Sequence, residues 1–226
     1  MPVFKLDDIT LDIPDEVLGD NVRRALEKGQ FEHGEARALR RHFTDADRLL
    51  ELGSGTGYLG SIAARIAGAQ AVTGVEALPR MVEVARANLA RNGAAGVTLH
   101  WGAAVPDDYA DSHVQFDARP EFWASSILSP MGKRKPITID VPALRIGALL
   151  RESRATVLSC DIEGGELALF DALLPPDLRL VIMEIHPNVY GNAGTRRVFD
   201  ALSAQGFAYY PYGSMAAVVV FSRAEK

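Results

Sequence analysis

Two short stretches, LSCDIEGGE and VIMEIHP, each follow an apolar run with groups that can move protons. Asp161 and Glu163 stand two apart in the first, and Glu184 and His186 two apart in the second. At that spacing, side chains on a continuing strand point to one side. If the two strands are neighbours, four groups gather at one sheet edge. Such a set can take a proton from a hydroxyl or an ammonium group, and its donor types also suit a hard divalent cation. Asp161 is the first candidate for the reacting centre, with Glu163 and His186 as bases or substrate anchors; no metal is assigned. Simpler roles compete: Glu163 and Glu166 can favour the start of a following helix, Glu184 can bond backbone, and His186 can mark a loop before Pro187.

A second feature supplies a ligand. LLELGSGTGYLG reads from Glu51 as E-x-G-x-G-x-G, with Gly53, Gly55 and Gly57, or from Gly55 as G-x-G-x-x-G, with Gly55, Gly57 and Gly60. Either spelling lets backbone approach a nucleotide ahead of a helix N-terminus. The first spelling suits a methyl donor and the second a dinucleotide. Glu51 favours the first, because a zwitterionic methionyl end has no diphosphate and its ammonium suits a carboxylate. Glu76, at the end of the next apolar run, can accept two ribose hydroxyls in either case.

These residues need an alternating scaffold, and the order of elements supplies one. VFKL and ITLDI read as a hairpin turning at Asp7-Asp8, and PDEVLGDNVRRALEKG and HGEARALRRHF as helices. Strands DRLLEL, AVTGVE, VTLHWG, TVLSCDIE and LRLVIMEIH then alternate with helices YLGSIAARIAG, PRMVEVARANLARNG, GELALFDAL and GTRRVFDALSAQG. Alternation of this kind implies a parallel sheet covered on both faces. FAYYPYGSMAAVVVF reads as a closing antiparallel hairpin through Tyr212-Gly213-Ser214. The expectation is an α/β fold: a doubly wound, mostly parallel seven-stranded sheet with that hairpin at its end. Residues 1–44 form a small lead-in packed on the core, 45–226 the main unit, and 105–153 an insertion. In the insertion, SHVQFDARPEFWASSIL reads as an irregular hairpin, KPITIDVP as extended and ALRIGALLRE as helical. Trp123, Ser125 and Ser126 can line an acceptor pocket or pack the hairpin, and Lys133 to Lys135 form a basic loop.

Composition narrows the classes. The chain has 226 residues, a formal charge of −5 and one cysteine. The acidic balance argues against a nucleic-acid partner, and the single Cys160, read as a buried core residue, excludes an intrachain disulfide and suits the cytoplasm. No signal-like start or membrane-length apolar run is present. The oligomeric state stays open, a homodimer included. His33, His42, His100 and His113 have no partner pattern, although His100 adjoins HWGAAV.

In the order of its motifs the chain resembles the FkbM-type S-adenosylmethionine (SAM)-dependent methyltransferases. ELGSGTGYLG, GVEALPRMVEVARANLARNG, HWGAAV, SSIL and especially LSCDIEGGELALF carry the likeness. It implies a Rossmann-like class I fold, SAM as cofactor, and methylation of a hydroxyl on a small molecule or glycan. An N-methyltransferase and a catalytically silent SAM-binding module are the alternatives. By the same resemblance, Glu51, Gly53, Ser54, Gly55 and Gly57 surround the methionyl end. Glu76 and Ala77 serve the ribose, Gly102 and Ala103 the adenine, and Asp161 lies between donor and acceptor. Family members more often carry Asp at the Glu51 position, and a small residue or Asn at that of Thr56.

Overall fold

The computed structural model describes residues 2–118, 137–171 and 173–224. Trp123, Ser125, Ser126 and the basic stretch Lys133 to Lys135 lie outside the described residues. A seven-stranded sheet organises the rest. Its strands are β3 (Leu49–Leu52), β4 (Val72–Glu76), β5 (Thr98–Trp101), β9 (Val157–Cys160), β10 (Leu180–Glu184), β11 (Phe207–Met215) and β12 (Val218–Arg223). The spatial order is β11-β12-β10-β9-β3-β4-β5. Pairing is parallel from β5 to β10 and antiparallel where β12 meets β10 and β11.

Successive residues along these strands feed different cores. Leu49, Val157, Leu180, Ile182, Val218 and Val220 enter one apolar cluster, whereas Leu50, Leu158, Val181, Met183, Val219 and Phe221 enter another. This period of two means that both faces are covered. The first face carries α1 (Asp20–Glu27), α2 (His33–His42), α3 (Tyr58–Ala67) and α4 (Pro79–Arg91), with the hairpin of β1 (Val3–Leu6) and β2 (Ile9–Asp12). The second carries α5 (Ile146–Ser153), α6 (Glu166–Leu169) and α7 (Pro187–Ala204). No described helix is long and apolar enough to cross a membrane.

Three local readings are corrected. The C-terminal hairpin turns at Ala216-Ala217, not at Tyr212-Gly213-Ser214. The latter residues lie inside β11 at a register shift, where the Ser214 hydroxyl donates to Tyr210 O and accepts the Val220 amide. Ala143–Arg145 continue a strand instead of opening a helix: β8 (Ile137–Arg145) pairs with β6 (Ala103–Val105) and β7 (His113–Ala118) in a second, three-stranded sheet. Burial of Val141 and Ala143 in that sheet's core outweighs the helical tendency of their neighbours. The first helix begins only at Asp20, after Gly19.

Among the ties between the lead-in hairpin and the main sheet's helices, which include the Asn92 amide bonded to Thr10, one amide is fully buried. Asn88 on α4 accepts the Asp12 amide at 2.8 Å and donates to Thr56 O in the glycine turn at 3.0 Å. Its side chain is fully buried, so truncation strands both partners. Asn88→Ala should cost about 1–3 kcal/mol in urea unfolding; a loss below a few tenths would show that the amide anchors nothing.

Candidate functional site

Parallel register lays the site out in a row. Leu52 pairs with Val75 and with Cys160, and Cys160 pairs with Met183. One residue further on, Glu76, Gly53, Asp161 and Glu184 therefore stand side by side at the C-terminal ends of four strands. This row crosses the point between β3 and β9 where the strand order reverses, and open α/β sheets bind ligands there. A cavity of about 530 Å³ opens along it, within the usual size of a small-molecule site.

The glycine turn is held by backbone. The Gly53 and Ser54 amides both donate to Val75 O at 3.0 Å, and the Gly57 amide to Ser54 O at 2.7 Å. Gly53 has φ +87°, and a Cβ there would overlap the carbonyl oxygen of Asp161. Only glycine allows β3 and β9 to leave the sheet so close together. Gly57 is likewise left-handed, with φ +78°, and its missing Cβ leaves room for the backbone of Ala85 on α4.

The cofactor residues named from the sequence divide into two groups. Gly53, Gly55, Glu76, Ala77, Gly102, Ala103 and Asp161 line the cavity. Glu51, Ser54 and Gly57 stand behind the turn and not on the cavity wall. Glu51 shares the face of Leu49, which points its carboxyl beneath α3, next to Gly60. Burial pushes its pKa up to about 8, against partial relief from the Ser54 hydroxyl and the Gly60 amide. Glu76 is positioned by its own surroundings: Oε2 accepts the Gly55 amide and Oε1 the Leu78 amide, both at 2.8 Å. Each oxygen keeps a further lone pair for a ligand hydroxyl.

The proton-moving groups converge as the spacing suggests, but not by strand alternation. β9 ends at Cys160 and β10 at Glu184, so Asp161, Glu163 and His186 all lie on loops. Glu163 adopts φ +53°. His186 precedes α7 and donates its amide to the Tyr190 hydroxyl at 2.6 Å. Its ring then stands between carboxyls: Nε2 is 3.5 Å from Asp161 Oδ1 and from Glu163 Oε2, and Nδ1 is 3.3 Å from Glu166 Oε1. Burial works to lower the His186 pKa, but Glu166, Asp161 and Glu163 outweigh it and lift it to about 9. Glu166 is fully buried and also accepts the Ile162 amide at 3.0 Å, so it both caps the local turn and faces the imidazole. Cys160 is a buried free thiol beneath this group.

Two further acids enter from a segment whose sequence carries no site motif. Glu32 and Glu35 sit at the start of α2 and line the same cavity. Gly34 lets that helix end press on β12, since a Cβ there would meet Val218 Cγ2 at 2.6 Å. Glu35 thereby reaches Glu184 and Asp161, with carboxyl oxygens of the three within 4.8 Å of one another. Burial and the neighbouring Glu184 raise Glu35 to about 7, although its own backbone amide works the other way. Burial, then Glu35, Glu51, Asp161 and Glu184, push Glu32 well above the carboxylate range. Asp161 is raised likewise by burial, Glu184 and Glu163, with partial relief from His186. Glu32 is also a non-glycine residue at φ +46°. That left-handed residue ahead of a helix was the signal to look for, and it is not legible in sequence. His33 lines the cavity as well. Asp161, Glu163 and His186 offer donor atoms within 4.8 Å of one another, and so do Glu35, Asp161 and Glu184.

Residues 33–106, from α2 through β6, match the family model for protein-L-isoaspartate(D-aspartate) O-methyltransferase. No curated protein matches the chain. Among solved structures, the ribosomal protein L11 methylase of Lactobacillus delbrueckii subsp. bulgaricus is similar at 15% identity and a TM-score of 0.53, over 99% of this chain and 98% of that one. An O-methyltransferase from Bacillus cereus, in complex with S-adenosylhomocysteine (SAH), aligns at 14% identity and a TM-score of 0.49, over 92% and 84%. An RNA methyltransferase from Salinibacter ruber, also with SAH, aligns at 19% and 0.43, over 84% and 90%. The chain has the Rossmann-like fold of class I methyltransferases.

Two outcomes follow from the geometry. Gly53→Ala should abolish nucleotide binding while leaving a folded chain by circular dichroism, because the new methyl must displace Asp161; unchanged binding would mean that the close approach is not needed. The second concerns pH. Glu51 keeps its proton to about 8 in the folded chain against an ordinary 4.5, and His186 keeps its proton to about 9 against 6.5. Both bind more protons folded than unfolded, so stability falls as pH rises through those windows. The urea midpoint should be lower at pH 9 than at pH 6, and Glu51→Gln should flatten the slope between 4.5 and 8.

Proposed function

We propose that this chain is a SAM-dependent methyltransferase acting on a hydroxyl of a small molecule or glycan, as its FkbM-type resemblance implies. The observation that carries the reading is the chemistry beyond the glycine turn. Glu32, Glu35, Asp161 and Glu184 line the cavity where a dinucleotide would set its diphosphate, and such a wall repels phosphate while it suits a positively charged sulfonium. Gly60, the third glycine of the dinucleotide spelling, faces Glu51 and Leu89 in the interior.

The chain's residues fit such a ligand. Glu76 takes the ribose hydroxyls on the lone pairs that Gly55 and Leu78 leave free, beside Ala77. Gly102 and Ala103 offer flat, small-sided backbone for the adenine. Gly53 and Gly55 expose backbone to the methionyl end, while Glu51, Ser54 and Gly57 hold the turn from behind. When bound, SAM supplies an electrophilic methyl group on a positively charged sulfur. Asp161, next to Gly53 and open to the cavity, would take the acceptor hydroxyl's proton as its oxygen is methylated, with SAH as the leaving group. A raised proton affinity suits that role at neutral pH. His186 is an imidazolium there, so it steadies Asp161 and Glu163 by its charge instead of acting as the first base. An amine acceptor is the second reading, favoured by the number of carboxyls on the acceptor side.

Calorimetry on the purified chain should detect SAH and not NADH; binding of NADH alone would sink the reading. Asp161→Ala should keep SAH affinity within about tenfold and lose labelled-methyl transfer. Turnover that survives the substitution would remove Asp161 from the chemistry.

A further inference from the structure

The charge balance of the cavity bears on what its acceptor is, given the SAM reading above. Six carboxyl side chains line it, those of Glu32, Glu35, Glu76, Asp161, Glu163 and Glu184, and no Lys or Arg does so among the described residues. Glu76 belongs to the ribose end, where two backbone amides hold it. One positive charge comes from His186 and one, net, from SAM. The remaining carboxyls outnumber these cations.

The uncompensated ones share one corner. Glu35 is only 5% exposed, yet it lines the cavity, and the side chains beside it there are the carboxyls of Glu184, within hydrogen-bonding reach of it, and Asp161. Asp161 Oδ1 is buried and receives no hydrogen bond, although His186 Nε2 stands 3.5 Å away. Glu32 reaches the same wall from a left-handed backbone position, φ +46°. Buried acceptors facing one another across a cavity are costly until a donor or cation joins them.

We propose that the methyl acceptor enters this cavity as a cation, its ammonium group held by Glu32, Glu35, Asp161 and Glu184 beside the reacting atom. The lead-in segment then does more than cover the sheet: its FEHGE stretch supplies half of the acceptor subsite. Without a cation, burial and mutual repulsion raise the proton affinity of Glu32, Glu35 and Asp161, and an arriving ammonium offsets that cost. Acceptors that carry phosphate or carboxylate are rejected by the same wall.

The test uses matched probes that differ only in charge: glucosamine, glucose and glucose 6-phosphate on a sugar, and tyramine, 4-ethylphenol and 4-hydroxyphenylacetate on a phenol. Binding to the SAH-saturated chain is measured by calorimetry in EDTA at constant ionic strength, with labelled-methyl transfer from SAM as a second readout. On at least one scaffold the ammonium member should bind at least about tenfold more tightly than the neutral one, with the anion weakest. Glu35→Gln and Glu32→Gln should shrink that ratio while SAH affinity stays within about threefold. Equal binding of the charged and neutral probes with normal SAH binding overturns the proposal alone, and so does a preference for the anion. A preference that appears only when magnesium replaces EDTA assigns the carboxyls to a metal ion and also overturns it. Failure of the wild-type chain to bind SAH removes the underlying reading and the proposal with it.

Discussion

The close approach of Gly53 to Asp161 is the contact on which the rest of the site depends. β3 and β9 are parallel neighbours, and just past their ends one chain turns toward α3 and the other toward α6. A side chain at Gly53 would occupy the position of the Asp161 carbonyl oxygen. Because glycine has no Cβ, that oxygen fits there, and the two chains leave the sheet in close contact beside the cavity that both line. The turn's amides are used to hold it against Val75, so its shape does not wait for a ligand.

Around that opening the protein gathers groups of one sign, and its local structure shows how it tolerates them. Glu51 and Glu76 meet backbone donors, and Glu166 accepts the Ile162 amide while facing His186. His186, in turn, is an imidazolium set among three carboxyls. The corner formed by Glu35, Asp161 and Glu184 has no comparable donor among its own side chains. Burial raises the proton affinity of Glu35 and of Asp161, and the neighbouring His186 gives Asp161 only partial relief. The same feature that makes this corner unfavourable in isolation gives it a strong preference for what it will bind.

The two larger sheets divide the labour. The seven-stranded sheet sets the row from Glu76 to Glu184, whereas the three-stranded sheet of β6, β7 and β8 supplies Ala103, Ala104 and Phe116 to one wall of the cavity. The opposite wall comes from the start of α2, pressed on β12 through Gly34. The three-stranded sheet and the lead-in, the parts outside the alternating core, thus each line the cavity.

The alternation of apolar runs with helical periods was enough to specify the parallel sheet, its closing hairpin and the row of residues past its strand ends. Those features follow from local periodicity and from glycines whose backbone has few alternatives. The spacing of Asp161, Glu163, Glu184 and His186 likewise announced a cluster, although loops and not continuing strands bring it together. What only the tertiary structure decided was the inward or outward sense of each acid. Glu51 lies behind the turn because strand alternation points it toward α3, and a motif does not say which face a ligand uses. Glu32 and Glu35 join the site from some 150 residues before Glu184 because α2 packs on a strand formed near the end of the chain. Pairing of that kind is set by side-chain fit between distant segments, and no short stretch of sequence carries it.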